Sequence, residues 1–253
     1  MVELSVENIV VDIDGNRILE SISFSAKSGE IICVIGPNGS GKTTLLRTIL
    51  GVIRPKAGDV RIGNRSIYSM SWKEKSAIFS YLPQDVPKVP FTVVELIIFG
   101  LNGVASHSSA VRCNSARVES ILDSLEMRHL ISRSITTISG GERKLAYVSM
   151  ALSRDVDAYL FDEPTAHLDY RHAVEVMNLL RVLARRGKIV IFATHDLTLA
   201  ARYADKFVLL NHGKLVGVGG LDDVFRPKLL RSVYGIEFYI IRKNGSVSAV
   251  VPK

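Results

Sequence analysis

With 253 residues, 47% of them apolar and 23% charged, the chain can bury a sizeable core, which excludes a disordered segment. Its formal net charge of +7 is scattered, apart from short clusters such as Arg185-Arg186 and Lys243, so no tract reads as a nucleic-acid arm and the expectation is a mildly basic surface with no nucleic-acid partner. Cys33 and Cys113 lie far apart without a CxxC partner, which points to neither a disulfide nor a cysteine metal site.

The start, Met1 to Ser5, lacks the basic and apolar regions of a signal peptide, and no run of 18 or more apolar residues is present to span a bilayer. The expectation is a cytosolic protein that reaches a membrane only through a partner.

In chain order, residues 2 to 35 alternate apolar and polar positions (Leu4, Val6, then Ile18, Ile22, Phe24) around an Asp14-Gly15-Asn16 turn, predicting antiparallel strands. Ile31 to Ile35 is a continuous apolar run, as in a strand buried on both faces of a parallel sheet. Residues 42 to 51 read as a helix closing at Gly51, and 92 to 152 as largely helical. Asn102 to Ser115, rich in Ser, Gly and Ala and carrying His107 and Arg112, reads as a polar loop or frayed helix end.

Strand–helix alternation then returns. Ala158 to Phe161 is a strand, and 170 to 186 a helix with Val174, Met177, Leu180 and Leu183 on one face, ended by Gly187. Lys188 to Ala193 is another buried strand. Asn211-His212-Gly213 and Lys243-Asn244-Gly245 mark two hairpins. The predicted fold class is α/β: a P-loop NTPase core with a mainly parallel sheet, an antiparallel β edge and an inserted helical subdomain. One domain spans 1–253, with the helical part near 87–152 and a C-terminal hairpin near 236–253.

Gly36-Pro37-Asn38-Gly39-Ser40-Gly41-Lys42-Thr43, continued by Thr44, fits GxxxxGK[ST]. Its glycines turn backbone N–H groups toward phosphate oxygens, the following helix presents its positive end, Lys42 adds charge and the Thr43 hydroxyl is a Mg²⁺ ligand. Its place between a buried strand and a helix is the context the motif requires. Tyr159 to Glu163 is an apolar strand ending in two carboxylates: Asp162 is placed to hold Mg²⁺ and Glu163 to accept a proton from an attacking water.

Ser139-Gly140-Gly141-Glu142 opens a helix with Leu145, Val148 and Leu152 on one face, and two readings stay open. It is a Ser-x-x-Glu capping box. Yet two glycines in a first turn cost roughly 0.8–1 kcal/mol each against Ala, which suits close approach of a phosphate to the backbone. His195, at a strand end in Thr194-His195-Asp196, is by itself more often structural than functional, and Gln84 says nothing alone.

In order, P-loop, Gln84, Ser139-Gly-Gly, Asp162-Glu163, Leu168-Asp169 and His195 resemble the ABC-transporter ATPases over nearly the whole chain. The resemblance implies a head-to-tail homodimer sandwiching two ATP molecules. Lys42, Thr43, Gln84 and Asp162 would serve the ATP and Mg²⁺ of their own subunit, with Thr43, Gln84 and Asp162 on the metal. Ser139, Gly140 and Gly141 would contact the γ-phosphate held by the other. Glu163 would polarise the water, His195 would contact the γ-phosphate and hold Glu163, and Asp169 would lie at the dimer interface. Gln84 and the helical part after it would sense an integral-membrane permease, fed by an extracytoplasmic substrate-binding protein, from the cytoplasmic face of the membrane.

Phe91-Thr92-Val93-Val94-Glu95, Ala166 to Asp169, Asp196 to Asp205 and Leu229 to Gly235 look like importer ATPases for iron–siderophore, haem or cobalamin. Zinc and manganese importers share part of this, and a soluble iron–sulfur assembly ATPase is the alternative of another class. A P-loop kinase would need neither Ser139-Gly-Gly nor His195. Three positions depart from the family pattern: Ile138 stands where Leu is usual, Glu142 where Gln is common, and Ile13 where an aromatic stacks on adenine. Arg17 is near enough in sequence to offer a guanidinium plane instead.

Overall fold

The computed structural model describes residues 2–102, 115–243 and 246–253. The Asn102–Ser115 loop reading falls on residues 103–114, with Cys113, outside this set, as do Asn244 and Gly245 of the second hairpin turn.

Two long strands, β1 (Glu3–Ile13) and β2 (Asn16–Lys27), pair antiparallel around the predicted turn. Their alternation is not simple. Asn8 and Ser21 take positive φ (49° and 52°), and the ladder shifts register between Val6 and Ile9 and again between Ile9 and Val11. Each irregularity moves the inward set by one residue. On β2 the core position is therefore Leu19, together with Ile22 and Phe24, and not Ile18 as the pattern predicts. Ile18 is left half-buried on the other side.

Strand β3 (Ile31–Ile35) is wholly buried and leads through residues 36–41 into α1 (Lys42–Ile49), which closes at Leu50-Gly51. Next come β4 (Ala57–Ile62), β5 (Arg65–Ser66), α2 (Trp72–Ile78) and β6 (Phe79–Leu82). Among the described residues the predicted helical stretch contains three α-helices: α3 (Val93–Asn102), α4 (Ser115–Ser124) and α5 (Gly140–Ser153). Then β7 (Ala158–Asp162), α6 (Tyr170–Arg185), β8 (Ile189–Ala193), α7 (Leu197–Tyr203), β9 (Lys206–Asn211), β10 (Lys214–Gly219), α8 (Leu221–Val224) and α9 (Pro227–Tyr234) follow. The C-terminal pair β11 (Phe238–Lys243) and β12 (Ser246–Pro252) forms a separate antiparallel hairpin. On α6 the buried seam runs through Ala173, Val176, Met177, Leu180, Leu183 and Ala184. Val174 lies at its edge, half-buried, one position off the predicted stripe.

The main sheet has ten strands in the order β5-β4-β1-β2-β10-β9-β3-β8-β7-β6. From β9 to β6 all neighbours run parallel, while β5-β4-β1-β2 is antiparallel. Successive residues of β3 serve two cores. Ile32 and Val34 pack with α1 and the inner faces of β1 and β2, and Ile31, Cys33 and Ile35 pack with α5, α6 and α7. The antiparallel part thus curls over α1, and the parallel part carries helices on both faces. The C-terminal ends of β3, β7 and β8 emerge together, where open α/β sheets place ligands.

Candidate functional site

The loop after β3 is shaped by glycines that nothing else could replace. Gly36 has φ 153°, and a Cβ there would lie 2.3 Å from the Leu210 carbonyl oxygen. Gly41 has φ 101°, and its Cβ would fall 2.7 Å from a Leu19 methyl. A side chain at either position would collide with neighbouring strands, so the chain can make this close turn only with Gly. Lys42, at the first turn of α1, folds back over the loop and donates from Nζ to the carbonyls of Gly36 (2.8 Å) and Pro37 (3.0 Å). Burial lowers its pKa, while the Glu163 and Asp162 carboxylates hold it up. Its charge is poised over the loop for an anion.

A cavity of about 700 Å³ opens above the loop. Every residue from Gly36 to Thr44 lines it, and so do Gln84, Asp162, Glu163 and His195. This volume suits one nucleotide-sized ligand. The structure thus brings together the predicted P-loop, the second residue after β6, the end of β7 and the second residue after β8.

Asp162 ends β7, 1% exposed, and neither carboxylate oxygen has a hydrogen-bond partner. Burial raises its pKa and neighbouring Glu163 adds to this, while the Thr43 hydroxyl and Lys144 act the other way. A carboxylate stripped of water and left unpaired is costly unless something charged completes it. Asp162, Thr43 and Gln84 line one cavity, a set of oxygen donors that suits a hard divalent cation that also keeps water and phosphate oxygens. Among the described residues no group of three or more His, Cys, Asp or Glu side chains could hold a metal alone.

Glu163 has φ 49°, a strained value for a residue with a side chain, and its N–H is tied to the Ala193 carbonyl of β8 at 3.0 Å. The bent backbone aims the 7% exposed carboxylate along the cavity wall, where Oε2 meets His195 Nδ1 at 3.0 Å. The His195 ring is itself 67% exposed. Together they offer a proton acceptor and a group that fixes its orientation.

Ser139, Gly140 and Gly141 lie outside this cavity. Ser139 caps α5: its Oγ accepts from the Glu142 N–H at 3.2 Å, and Glu142 Oε2 accepts from the Ser139 N–H at 2.7 Å. The Ser139 N–H, and after it the Ser139 hydroxyl, hold the Glu142 carboxyl below its usual range. The two glycines differ. A Cβ on Gly141 would sit 3.2 Å from the His167 carbonyl oxygen, whereas one on Gly140 would approach nothing nearer than an Arg143 nitrogen at 3.9 Å. Ser139 and Gly140 are exposed, so no neighbour within the chain calls for glycine at 140. Asp169 caps α6, accepting from His172 N–H at 2.9 Å, and this bond depresses its pKa.

Three participants escape sequence reasoning. Ile18 and Tyr234 line the cavity. Ile18 is placed there by the β2 irregularity, and Tyr234 by α9, far along the chain. Lys144 is a buried cation that donates to the Pro83 (3.1 Å) and Gln84 (2.9 Å) carbonyls. Its signal is visible afterwards as a lysine on the apolar face of α5. Ile13 and Arg17 do not line the cavity; Ile13 is exposed, and Arg17 is paired with Asp12, which also binds Lys56.

The family model described as ABC transporter matches residues 19–166, more than half of the chain. A hemin import ATP-binding protein of Rhodopseudomonas palustris is 34% identical over 94% of this chain and 93% of its own length. A cobalamin import ATP-binding protein of Halobacterium salinarum is 32% identical over 91% of this chain, which spans 58% of that longer protein. Among solved structures, an inward-facing ABC transporter assigned to the metal-chelate type aligns over 100% of this chain and 98% of its own, with a TM-score of 0.80 at 26% identity. The ADP conformation of the ATP-binding cassette MJ1267 aligns over 92% of this chain and 98% of its own at 0.76 and 26%. With a phosphate-cradling loop, a buried strand-end carboxylate and a Glu–His pair facing one cavity, and with this likeness along nearly its whole length, the chain belongs to the ABC transporter family as an ATP-binding, ATP-hydrolysing subunit.

Proposed function

We propose that the chain powers an importer for a metal chelate of the iron–siderophore, haem or cobalamin kind. It would work as a single-domain subunit on the cytoplasmic face of the membrane, against an integral-membrane permease. An extracytoplasmic binding protein would deliver the cargo, and nucleic acid has no part. Both relatives described above carry import names, for hemin and for cobalamin, and the metal-chelate transporter aligns over the full chain.

The observation that carries the mechanism is an asymmetry. The loop, Asp162 and the Glu163–His195 pair face one cavity, while Ser139 and Gly140 stand exposed outside it at the N-terminus of α5. An exposed helix start with free space over Gly140 suits a phosphate brought by another molecule. A second copy in head-to-tail arrangement supplies one: its γ-phosphate meets Ser139, Gly140 and Gly141, with Asp169 at the contact. In each cavity Lys42 and the backbone N–H groups of 36–44 bind the phosphates. Thr43, Asp162 and Gln84 would hold Mg²⁺, which neutralises phosphate charge. Glu163 takes the proton of the attacking water. His195 fixes Glu163 and touches the γ-phosphate. ATP bridges the two copies, and loss of the γ-phosphate removes the bridge.

The test is Glu163→Gln. It keeps ATP binding, slows hydrolysis by about 10²–10⁴-fold and accumulates an ATP-bound dimer in sedimentation. Turnover at the wild-type rate would remove Glu163 from the chemistry.

A further inference from the structure

Lys144 is a contact that nucleotide binding does not explain. It lies within the first turns of α5, on the helix whose end is Ser139, and only 2% of it is exposed. Lysines are almost never buried this far without a partner for the charge. Here Nζ reaches the carbonyl oxygens of Pro83 at 3.1 Å and Gln84 at 2.9 Å, the two residues that follow β6. Gln84 stands in the nucleotide cavity. One turn along α5, the Tyr147 hydroxyl donates to the Pro87 carbonyl at 3.0 Å. The loop that carries Gln84 is therefore pinned to α5 at two points, and Lys144 is the one nearest the cavity. Burial brings the ammonium pKa down to about 8, while Asp162, Glu163 and Asp85 sustain the charge.

We propose that Lys144 is a positioning residue that latches the Gln84 loop to the helix beginning at Ser139, so that the two move as one body. The inference rests on the roles proposed above for Gln84 and Ser139. If Gln84 serves the nucleotide of its own chain and Ser139 that of the partner, Lys144 links the two sites. A ligand that repositions Gln84 shifts the surface offered to the second copy. The link needs no conduit beyond a rigid helix, two carbonyls and one three-donor cation. A methionine fills the same space but donates nothing, so both carbonyls lose their partner while the packing is kept.

The experiment compares wild type, Lys144→Met and Lys144→Arg by hydrogen exchange, ATP binding and ATPase kinetics. In Lys144→Met, amides of 84–89 exchange about tenfold faster as the loop opens locally. ATP affinity of the monomer stays within about twofold, because the phosphate loop is untouched, while kcat falls about tenfold with KM changed less than about threefold. Lys144→Arg recovers most of the rate, having donors of its own. In a Gln84→Ala background Lys144→Met costs less than about twofold more, since both act through one contact. Unchanged exchange and kcat in folded Lys144→Met would overturn the latch, and so would a full tenfold loss persisting without the Gln84 side chain. Where Lys144→Met does not fold, Lys144→Gln is measured with the same thresholds. A wild type unable to hydrolyse ATP would instead sink the reading of the site, and the exchange arm alone would then decide the latch.

Discussion

Ser139→Ala separates two roles for one hydroxyl. Within the chain, Ser139 Oγ accepts a single long bond from the Glu142 N–H, 3.2 Å at an exposed helix start. The reciprocal bond from the residue 139 N–H to Glu142, 2.7 Å, survives the substitution. The loss therefore belongs at the low end of N-cap values, about 0.5–1 kcal/mol. For a chain of this size that lowers Tm by roughly 1–4 °C. In the proposed dimer the same hydroxyl donates to the partner's γ-phosphate. A hydrogen bond to a charged group is worth about 1.5–3 kcal/mol. Two-fold symmetry counts it twice, so the dimer loses about 3–6 kcal/mol, or roughly 10²–10⁴-fold in dissociation constant. Sedimentation with ATP in a Glu163→Gln background reads the second effect, and melting reads the first. Monomer affinity for ATP should stay constant. A drop in Tm with an unchanged dimer constant would leave Ser139 as a cap and nothing more.

Base recognition should be weak, because Ile18 gives the cavity an apolar wall without a π face and Arg17 is engaged by Asp12. ATP, GTP and CTP should bind within a small factor of one another, and Ile18→Tyr should tighten ATP by several-fold to about tenfold; unchanged titrations would show that residue 18 does not reach the base. Lys144 also predicts a pH dependence. Its folded pKa of about 8 lies below the ordinary 10.5, so between these values the unfolded chain holds a proton that the folded chain has shed, and stability rises with pH. Wild type should gain on Lys144→Met by about 3 kcal/mol from pH 8 to 10.5 in denaturant titrations, and a flat or falling difference refutes the burial argument. Finally, cysteines at 91 and 99 should cross-link to the permease, while one at 241 should not; the reverse would move docking to the C-terminal hairpin.

The parts of the site legible in the sequence were those that local chemistry dictates. The 36–44 loop must be glycine-rich to turn beside Leu210 and Leu19, and Asp162 and Glu163 are conspicuous as charges ending an apolar strand. The sheet's parallel and antiparallel parts were likewise readable, because strands buried on both faces read differently from those buried on one. What stayed hidden depends on register and on long-range contact. Ile18 enters the cavity only because the ladder slips near Ser21, a change that alternation cannot reveal. Val174 sits at the edge of the α6 seam, which is centred on Ala173, Val176, Met177 and Leu180, a shift that the sequence pattern alone does not distinguish. Tyr234 arrives from the far end of the chain, and Lys144 looked like one more charge on a helix until its carbonyl partners were visible.

Two apolar surfaces compete to be the face that meets a permease. On one, Phe91 and Phe99 stack with ring centroids 6.2 Å apart, 39% and 63% exposed. On the other, Tyr239, Ile241 and Val251 share the outer side of the C-terminal hairpin. Exposed apolar area alone does not choose between them. Connection to the nucleotide and to the second copy together does. The hairpin is tied to α7 through Thr198 and Val250, three residues along from His195, and its Phe238 packs edge-on against the cavity residue Tyr234. The Phe91 face continues directly from Gln84, and α5 holds that segment through Lys144 and Tyr147. We expect a force on Phe91 or Phe99 to reach Gln84 and the start of α5, the two places where ATP binding and ATP sharing between copies are proposed to meet. A motor needs its lever joined to its fuel site by packed and hydrogen-bonded structure; both surfaces reach the cavity, and the aromatic pair is the one whose segment is also held to the helix that begins at Ser139, where the second copy is proposed to bind.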